Sequence, residues 1–253
     1  MSLQALIFDV DGTLADTERD GHRIAFNQAF ADAGLDWDWG VALYGQLLAI
    51  TGGKERMRHY LDRFRPDWPR PADLVGLISR LHATKTRHYT GLLARGGIPL
   101  RPGVLRLLNE ARQAGLRLAI ATTTTPENVT ALLEHALSPS AISWFEVIAA
   151  GDVVPAKKPA PDIYRYALEK MQLVPDQCLA FEDSENGLRS ARGAGLRTVV
   201  TTNDYTHDHD FTGAMVVLDQ LGEPQQPCTV LAGADKMAGG RYFDVAVARR
   251  MLP

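Results

Sequence analysis

The chain has 253 residues, 45% hydrophobic and 23% charged, which is apolar mass enough for a real core and length for one large domain or two small ones. A formal net charge of −3 argues against nucleic acid or an anionic membrane as partner, and no run approaches the roughly 18 apolar residues of a membrane span. Cys178 and Cys228 are the only cysteines and have no CxxC spacing, so neither a disulfide framework nor a thiolate metal site is indicated. Cys178 falls in an apolar run and reads as a small core residue. The N-terminus has no basic region followed by a long apolar one, and the expected location is the cytoplasm.

The first element is a short buried strand, Leu6-Ile7-Phe8, running into Asp9-Val10-Asp11-Gly12-Thr13. Taken alone, Asp-x-Asp-Gly is equally an ordinary turn. From there the period becomes helical for about eighty residues. Phe26, Ala29, Phe30 and Ala33 share one face, as do Met57, Tyr60, Leu61 and Phe64, and Leu74, Leu77, Ile78 and Leu81. Turn-like clusters at Gly34–Gly40, Thr51-Gly52-Gly53 and Pro66–Pro71 divide the stretch into about four helices.

Beyond Gly96 the texture changes again. Pro102 opens a helix carrying Val104, Leu107, Leu108 and Ala111 on one face. Apolar runs at Leu116–Ala121, Trp144–Ala150, Cys178–Phe181 and Leu196–Thr201 then alternate with helical segments at about 126–136, 159–171 and 185–194. That alternation predicts βαβ units and a parallel sheet covered on both faces, with Gly115 and Gly195 as helix C-caps. The expected fold is α/β: a doubly wound, Rossmann-like core of 1–15 and 99–222 with an inserted small α-helical cap at 16–98. Residues 223–253, rich in Pro, Gln, Gly and Ala, read as an extended, weakly packed tail whose last apolar patch, Phe243 to Met251, reads as a terminal helix that docks back.

In a parallel sheet the strand ends converge on one edge. Here they carry Asp9 and Asp11, Thr122-Thr123-Thr124-Thr125, Lys157-Lys158, and Glu182-Asp183-Ser184. A Mg²⁺ site explains the acids, since that ion takes one or two carboxylates and leaves positions to water and phosphate; Asp9 and Asp183 are the natural ligands. Glu182 ligates the metal or only its waters. An aspartate can attack phosphorus and form an aspartyl-phosphate when cations screen both anions, a task for Lys158 and Mg²⁺. Asp11 can protonate the leaving oxygen and then activate water. A threonine hydroxyl and neighbouring backbone amides would hold phosphoryl oxygens. Thr122 is the first beyond the apolar run, with Thr123 and Thr124 next, and the Pro-Ala-Pro-Asp register favours Lys158 over Lys157.

These residues resemble the motif set of the haloacid dehalogenase superfamily: Asp9-Val10-Asp11-Gly12-Thr13, Thr122, Lys158 and Glu182-Asp183, spread over roughly 1–200. The resemblance implies Asp9 as nucleophile and Asp11 as general acid/base, the latter also offering its backbone carbonyl to Mg²⁺. The stretches Asp16-Thr17-Glu18-Arg19-Asp20-Gly21-His22-Arg23, Thr51-Gly52-Gly53-Lys54-Glu55-Arg56 and Lys158-Pro159-Ala160-Pro161-Asp162 look like the CbbY group. That implies a Calvin-cycle-associated sugar-bisphosphate phosphatase. Its implied substrate is xylulose 1,5-bisphosphate, a Rubisco inhibitor, converted to xylulose 5-phosphate.

Substrate choice is expected in the cap. Thr51, Gly52, Gly53 and Lys54 precede a helix whose N-terminus favours an anion, and Lys54 with Arg58 could grip a second phosphate; the alternative is a glycine turn with solvated cations. Glu18 binds a sugar hydroxyl or is a helix-start acid, and His22 is a substrate contact or a packed or surface histidine. His82, Lys85 and Tyr89 share a helical face and read as the cap's polar surface, the alternative being a further substrate contact; His207-Asp208-His209-Asp210 reads as a solvated turn, the alternative being a metal site. The partner expected is a small phosphorylated sugar, bound by a monomer. A β-phosphoglucomutase-type mutase on the same scaffold and a non-catalytic sugar-phosphate binder are the alternatives; loss of Asp9, Asp11, Lys158 or Asp183 would have marked the latter, and all are present.

Overall fold

A computed structural model describes residues 2–252. The chain forms two compact units, Met1–Asp16 with Pro99–Pro253, and Thr17–Ile98. The second is inserted after strand β1 (Ala5–Phe8) and is helical: a π turn at Glu18–His22, then α1 (Arg23–Asp32), α2 (Val41–Leu47), α3 (Gly53–Phe64) and α4 (Leu74–Ala94). The first unit continues with α5 (Val104–Gln113), β2 (Arg117–Ala121), α6 (Pro126–Leu132), β3 (Val147–Ala149), α7 (Asp162–Met171), β4 (Cys178–Glu182), α8 (Glu185–Gly193), β5 (Arg197–Thr201), β6 (Val216–Leu218), β7 (Val230–Ala232), α9 (Ala234–Met237) and α10 (Val245–Met251). Among the described residues, no helix is long and apolar enough to cross a membrane.

The strands make one seven-stranded sheet in the order β3-β2-β1-β4-β5-β6-β7, parallel except for the β6–β7 pair. All four residues of β1 and all five of β4 are buried, as strands covered on both faces require. Side chains alternate between faces. Ala5, Ile7, Ala119, Ala121, Cys178 and Ala180 share one cluster with Ile163, Tyr164 and Met171 of α7. Phe8 and Phe181 point to the other face and stack with centroids 4.5 Å apart. Small residues on the first face let α7 lie close to the sheet. Gly115 and Gly195 end α5 and α8 in the left-handed conformation, at φ 73° and 85°, as the sequence predicts. Cys178 is a buried core residue whose thiol burial pushes up to about 12.

The expectation of a weakly packed tail does not hold. Val230–Ala232 adds the seventh strand, antiparallel to β6, and α10 is capped by Asp244, whose Oδ1 accepts from Val247 N at 2.7 Å. Phe243 is fully buried, edge-on to Phe181 at 5.5 Å. Arg106 Nη2 donates to Gly222 O at 2.7 Å and to Phe243 O at 2.9 Å, across 116 and 137 positions of sequence. Locally, Pro and Gly read as linker; the bonds that tie the segment down come from α5, far away in the chain.

The helical unit has an aromatic core of Phe26, Phe30, Trp37, Trp39, Tyr44 and Tyr60, with Trp39 and Tyr44 fully buried. The expected polar surface of His82, Lys85 and Tyr89 is also overturned. Lys85 is 4% exposed and Tyr89 fully buried, and the Lys85 ammonium lies 5.2 Å from the centroids of both the Phe26 and Tyr89 rings. His82 fills the space beside Gly53, where a Cβ would come within 2.8 Å of its ring. Ile78, Leu81, Lys85 and Tyr89 follow one helical stripe of α4, and all four are buried, so Lys85 and Tyr89 share the fate of the apolar residues a turn before them.

Phe243→Ala should cost about 3–5 kcal/mol by loss of a buried aromatic. Urea unfolding measures it, and a loss below about 1 kcal/mol would contradict the docking of the C-terminal segment.

Candidate active site

The register Phe8↔Phe181 brings the next residues of β1 and β4, Asp9 and Glu182, side by side at the C-terminal sheet edge. By alternation, both continue the face that packs on α7. Lys158, in the loop before α7, donates from Nζ to Asp9 Oδ1 and to Glu182 Oε1, each at 2.6 Å. Tyr164 of α7 donates its hydroxyl to the same Glu182 oxygen at 2.5 Å, with Lys158 Nζ 5.1 Å from its ring centroid. Lys157 turns away to Asp152 at 2.6 Å, so of the two lysines Lys158 is the one in this cluster.

Asp183 completes the cluster. Asp9, Glu182 and Asp183, all buried, offer carboxylate oxygens within 4.8 Å of one another. Asn203, in the loop after β5, donates from Nδ2 to Asp183 Oδ2 at 2.8 Å, while Glu182 Oε2 is buried without a hydrogen-bond partner among the described residues. Burial raises the Asp9 carboxyl to about 7 against the lowering effect of Lys158. Burial, then the neighbouring Asp9 and Glu182, raises Asp183 well above the carboxylate range. Burial also works against charge on Lys158, but Asp9 and Glu182 outweigh it and hold the ammonium above its usual range. Three buried carboxylates around one ammonium leave excess negative charge, and an all-oxygen donor set with an orphaned oxygen suits a hard divalent cation.

Asp11 begins the turn after β1 and is half-buried. Gly12 follows at φ +81°, where a Cβ would come within 2.2 Å of Asp183 Oδ2, so only glycine lets this turn pass the cluster. Thr122 is buried at the end of β2, tied by its N–H to Ala149 O at 2.9 Å, and its Oγ1 accepts from Thr124 N at 3.3 Å. Thr123 is half-buried; Thr124 Oγ1 accepts from Asn128 Nδ2 at 3.0 Å.

Within the helical unit, Glu18 lies in the π turn and accepts from Tyr44 OH at 2.5 Å. Arg56 Nη1 donates to Tyr44 OH at 2.8 Å and is 3.8 Å from Glu18 Oε2. His22 is buried, its ring stacked on Tyr89 at 4.0 Å. Gly52, at φ 97°, is the N-cap of α3; Thr51, Gly53 and Lys54 beside it are half-buried, and Arg58 is exposed one turn on. The His207–Asp210 segment contributes to no metal-ligating cluster among the described residues, and Asp210 Oδ1 accepts from Thr212 N at 2.9 Å as in a turn.

Sequence reading passed over Tyr164 and Asn203. Asn203 had a signal, since it follows the apolar run of β5 as Asp9 follows that of β1. Tyr164 had none beyond its place on the buried face of α7.

Residues 3–195 match the haloacid dehalogenase-like hydrolase family. Over 247 residues the chain is 51% identical to protein CbbY of Cupriavidus necator, covering 98% of this chain and 96% of that one. Two crystal structures of CbbY from Rhodobacter sphaeroides, one with phosphate and one of a mutant with xylulose-(1,5)bisphosphate, are each 48% identical, with a TM-score of 0.81 over 86% of this chain and 94% of theirs. A buried carboxylate–lysine centre on a parallel sheet, and relatives matched over nearly their whole length, lead to one conclusion: the chain belongs to the haloacid dehalogenase-like hydrolases, as a phosphatase of their CbbY group.

Proposed function

We propose that this phosphatase hydrolyses phosphorylated sugars through an aspartyl-phosphate on Asp9, with Mg²⁺ as cofactor and xylulose 1,5-bisphosphate as substrate, giving xylulose 5-phosphate. The observation that carries the reading is Lys158 held at 2.6 Å from both Asp9 and Glu182, with Asp183 alongside. A phosphoryl group can approach a buried carboxylate only where fixed positive charge screens both. Asp9, Asp183, Glu182 and the Asp11 carbonyl would hold the metal, which when bound neutralises charge on the transferring phosphoryl group. The sugar is that of the Rhodobacter relative's complex, and 48% identity supports carrying it over.

In this reading an Asp9 oxygen bonds to phosphorus as the phosphorus–sugar oxygen bond breaks, and Asp11 gives that oxygen its proton. Asp11 then takes a proton from water as the water oxygen attacks phosphorus, which frees Asp9 and releases inorganic phosphate. Lys158 stays charged throughout, because its neighbours hold it above its usual range. Thr122, with Thr123 and Thr124, supplies hydroxyl and backbone donors to phosphoryl oxygens. In the helical unit, Gly52, Gly53, Thr51 and Lys54 at the N-terminus of α3, with Arg58, take the second phosphate; Glu18 and His22 take sugar hydroxyls.

Asp9→Asn should lower turnover by on the order of 10⁴-fold or more and leave the circular dichroism spectrum unchanged. Near-wild-type phosphate release by that variant would rule out Asp9 as nucleophile.

Chelation should stop turnover, and added Mg²⁺ should restore it. Because burial raises the Asp9 and Asp183 carboxyls in the folded state, the metal-free protein binds more protons folded than unfolded over the range between the ordinary carboxylate value and about 7. Its stability should therefore fall as pH rises through that range. Mg²⁺ needs the deprotonated carboxylates, so its effect on the melting temperature should be larger at pH 8 than at pH 5. An equal shift at both would count against metal binding at this cluster.

Lys54→Ala should raise KM for the bisphosphate by on the order of tenfold or more, as loss of a charge-assisted bond does, with far less effect on sugar monophosphates. Equal losses on both would remove Lys54 from the second-phosphate site.

A further inference from the structure

We propose that Arg101 is a positioning residue for this reaction: its guanidinium locks the Gly12 carbonyl, and so the Gly12–Thr13 peptide of the turn that carries Asp11, against the ends of β5 and β6. The proposal rests on the roles of Asp9 and Asp11 in the proposed function.

Arg101 lies one position before Pro102, and its side chain is 6% exposed. Nη1 donates to Gly12 O, to Thr201 O at 3.2 Å and to Thr201 Oγ1 at 3.1 Å. Nη2 donates to Thr202 O at 2.5 Å and to Asp219 O at 2.8 Å. Nε is 3.3 Å from Asp16 Oδ1, whose side chain is 63% exposed. Its main chain joins the same loop, with Arg101 N donating to Leu14 O at 2.9 Å. A planar guanidinium can bridge three such segments at once; a lysine ammonium in its place cannot.

A charge this deep, facing carbonyls more than carboxylates, is costly to bury. What it holds in return is placed for catalysis. Gly12 is caught between Arg101 on its carbonyl and Asp183 at its Cα, and its N–H donates to Ala15 O at 2.8 Å. Asp9 has other anchors: its side chain bonds Lys158, and its N–H donates to Phe181 O at 3.0 Å. Asp183 has Asn203. The carboxylate ligands therefore keep their places without Arg101, whereas the acid/base turn, with the Asp11 carbonyl it also offers to the metal, depends on it.

Dependence on a proton donor separates this role from plain structural support. A poor leaving group needs its oxygen protonated as the bond to phosphorus breaks; p-nitrophenolate does not. Arg101→Lys is therefore assayed for kcat/KM on glycerol 2-phosphate and on p-nitrophenyl phosphate, together with the Mg²⁺-induced rise in melting temperature. The expected result is a loss on the order of 100-fold for glycerol 2-phosphate. The loss for p-nitrophenyl phosphate should be at least about tenfold smaller, with most of the Mg²⁺ shift, which the carboxylates supply, retained. Equal or reversed losses, wild-type kinetics, or a lost Mg²⁺ shift would overturn the proposal. If Arg101→Lys does not fold, Thr201→Val removes one acceptor at nearly constant volume and should rank the two substrates the same way; kinetics equal to wild type would again overturn it. Absence of Mg²⁺-dependent phosphate release by the wild-type enzyme is a different result, and it would sink the proposed function itself.

Discussion

Lys158 is the one ammonium among three buried carboxylates, and the rest of the core unit is arranged to keep it there. Its two 2.6 Å contacts make a strong charge-assisted pair, yet they do not neutralise the cluster. Burial favours the protonated acids, and their mutual repulsion pushes the same way. Such a site is poised rather than comfortable. A cation that takes these oxygens, as in the proposed function, would have to displace protons that burial favours.

The fold holds this poise by stacking rings under it. Phe8 and Phe181 lie one residue before Asp9 and Glu182, and Phe243 packs edge-on against Phe181 from the C-terminal segment. On the opposite sheet face the strands carry alanines, which lets α7 bring Tyr164 against Glu182. One face thus makes the strand ends rigid and the other supplies their hydrogen-bonding partners. The C-terminal segment takes part in the first of these, so it belongs to the foundation of the site rather than to its periphery.

In the helical unit the polar groups are likewise built in. Arg56, Tyr44 and Glu18 form a chain of contacts in which Arg56 also reaches Ile50 O at 3.3 Å, so the π turn, α2 and the loop before α3 are tied at one point. π turns of this kind recur at functional sites. Burying His22 and Lys85 among aromatic rings limits their motion and sets their orientation, at a desolvation cost that an ordinary surface helix would not bear.

Much of the site was legible in the chain because its parts sit at strand ends, and strand ends can be read locally. Asp9, Thr122 and Asp183 each follow an apolar run, and in a parallel sheet runs of that kind share an edge. Periodicity likewise marked the helices, and Gly115 and Gly195 their ends. What the chain by itself could not decide were contacts whose two halves look unremarkable apart: Arg101 with Gly12 and Asp219, Tyr164 with Glu182, and Arg106 with the carbonyls of Gly222 and Phe243. The same holds for Lys85, polar by type yet buried by the stripe it shares with Tyr89. Local propensity depends on neighbours within a few positions, so it determined the elements and the strand-end chemistry. Partners more than a hundred positions apart are chosen only when packing brings them together, and that choice belonged to the tertiary structure.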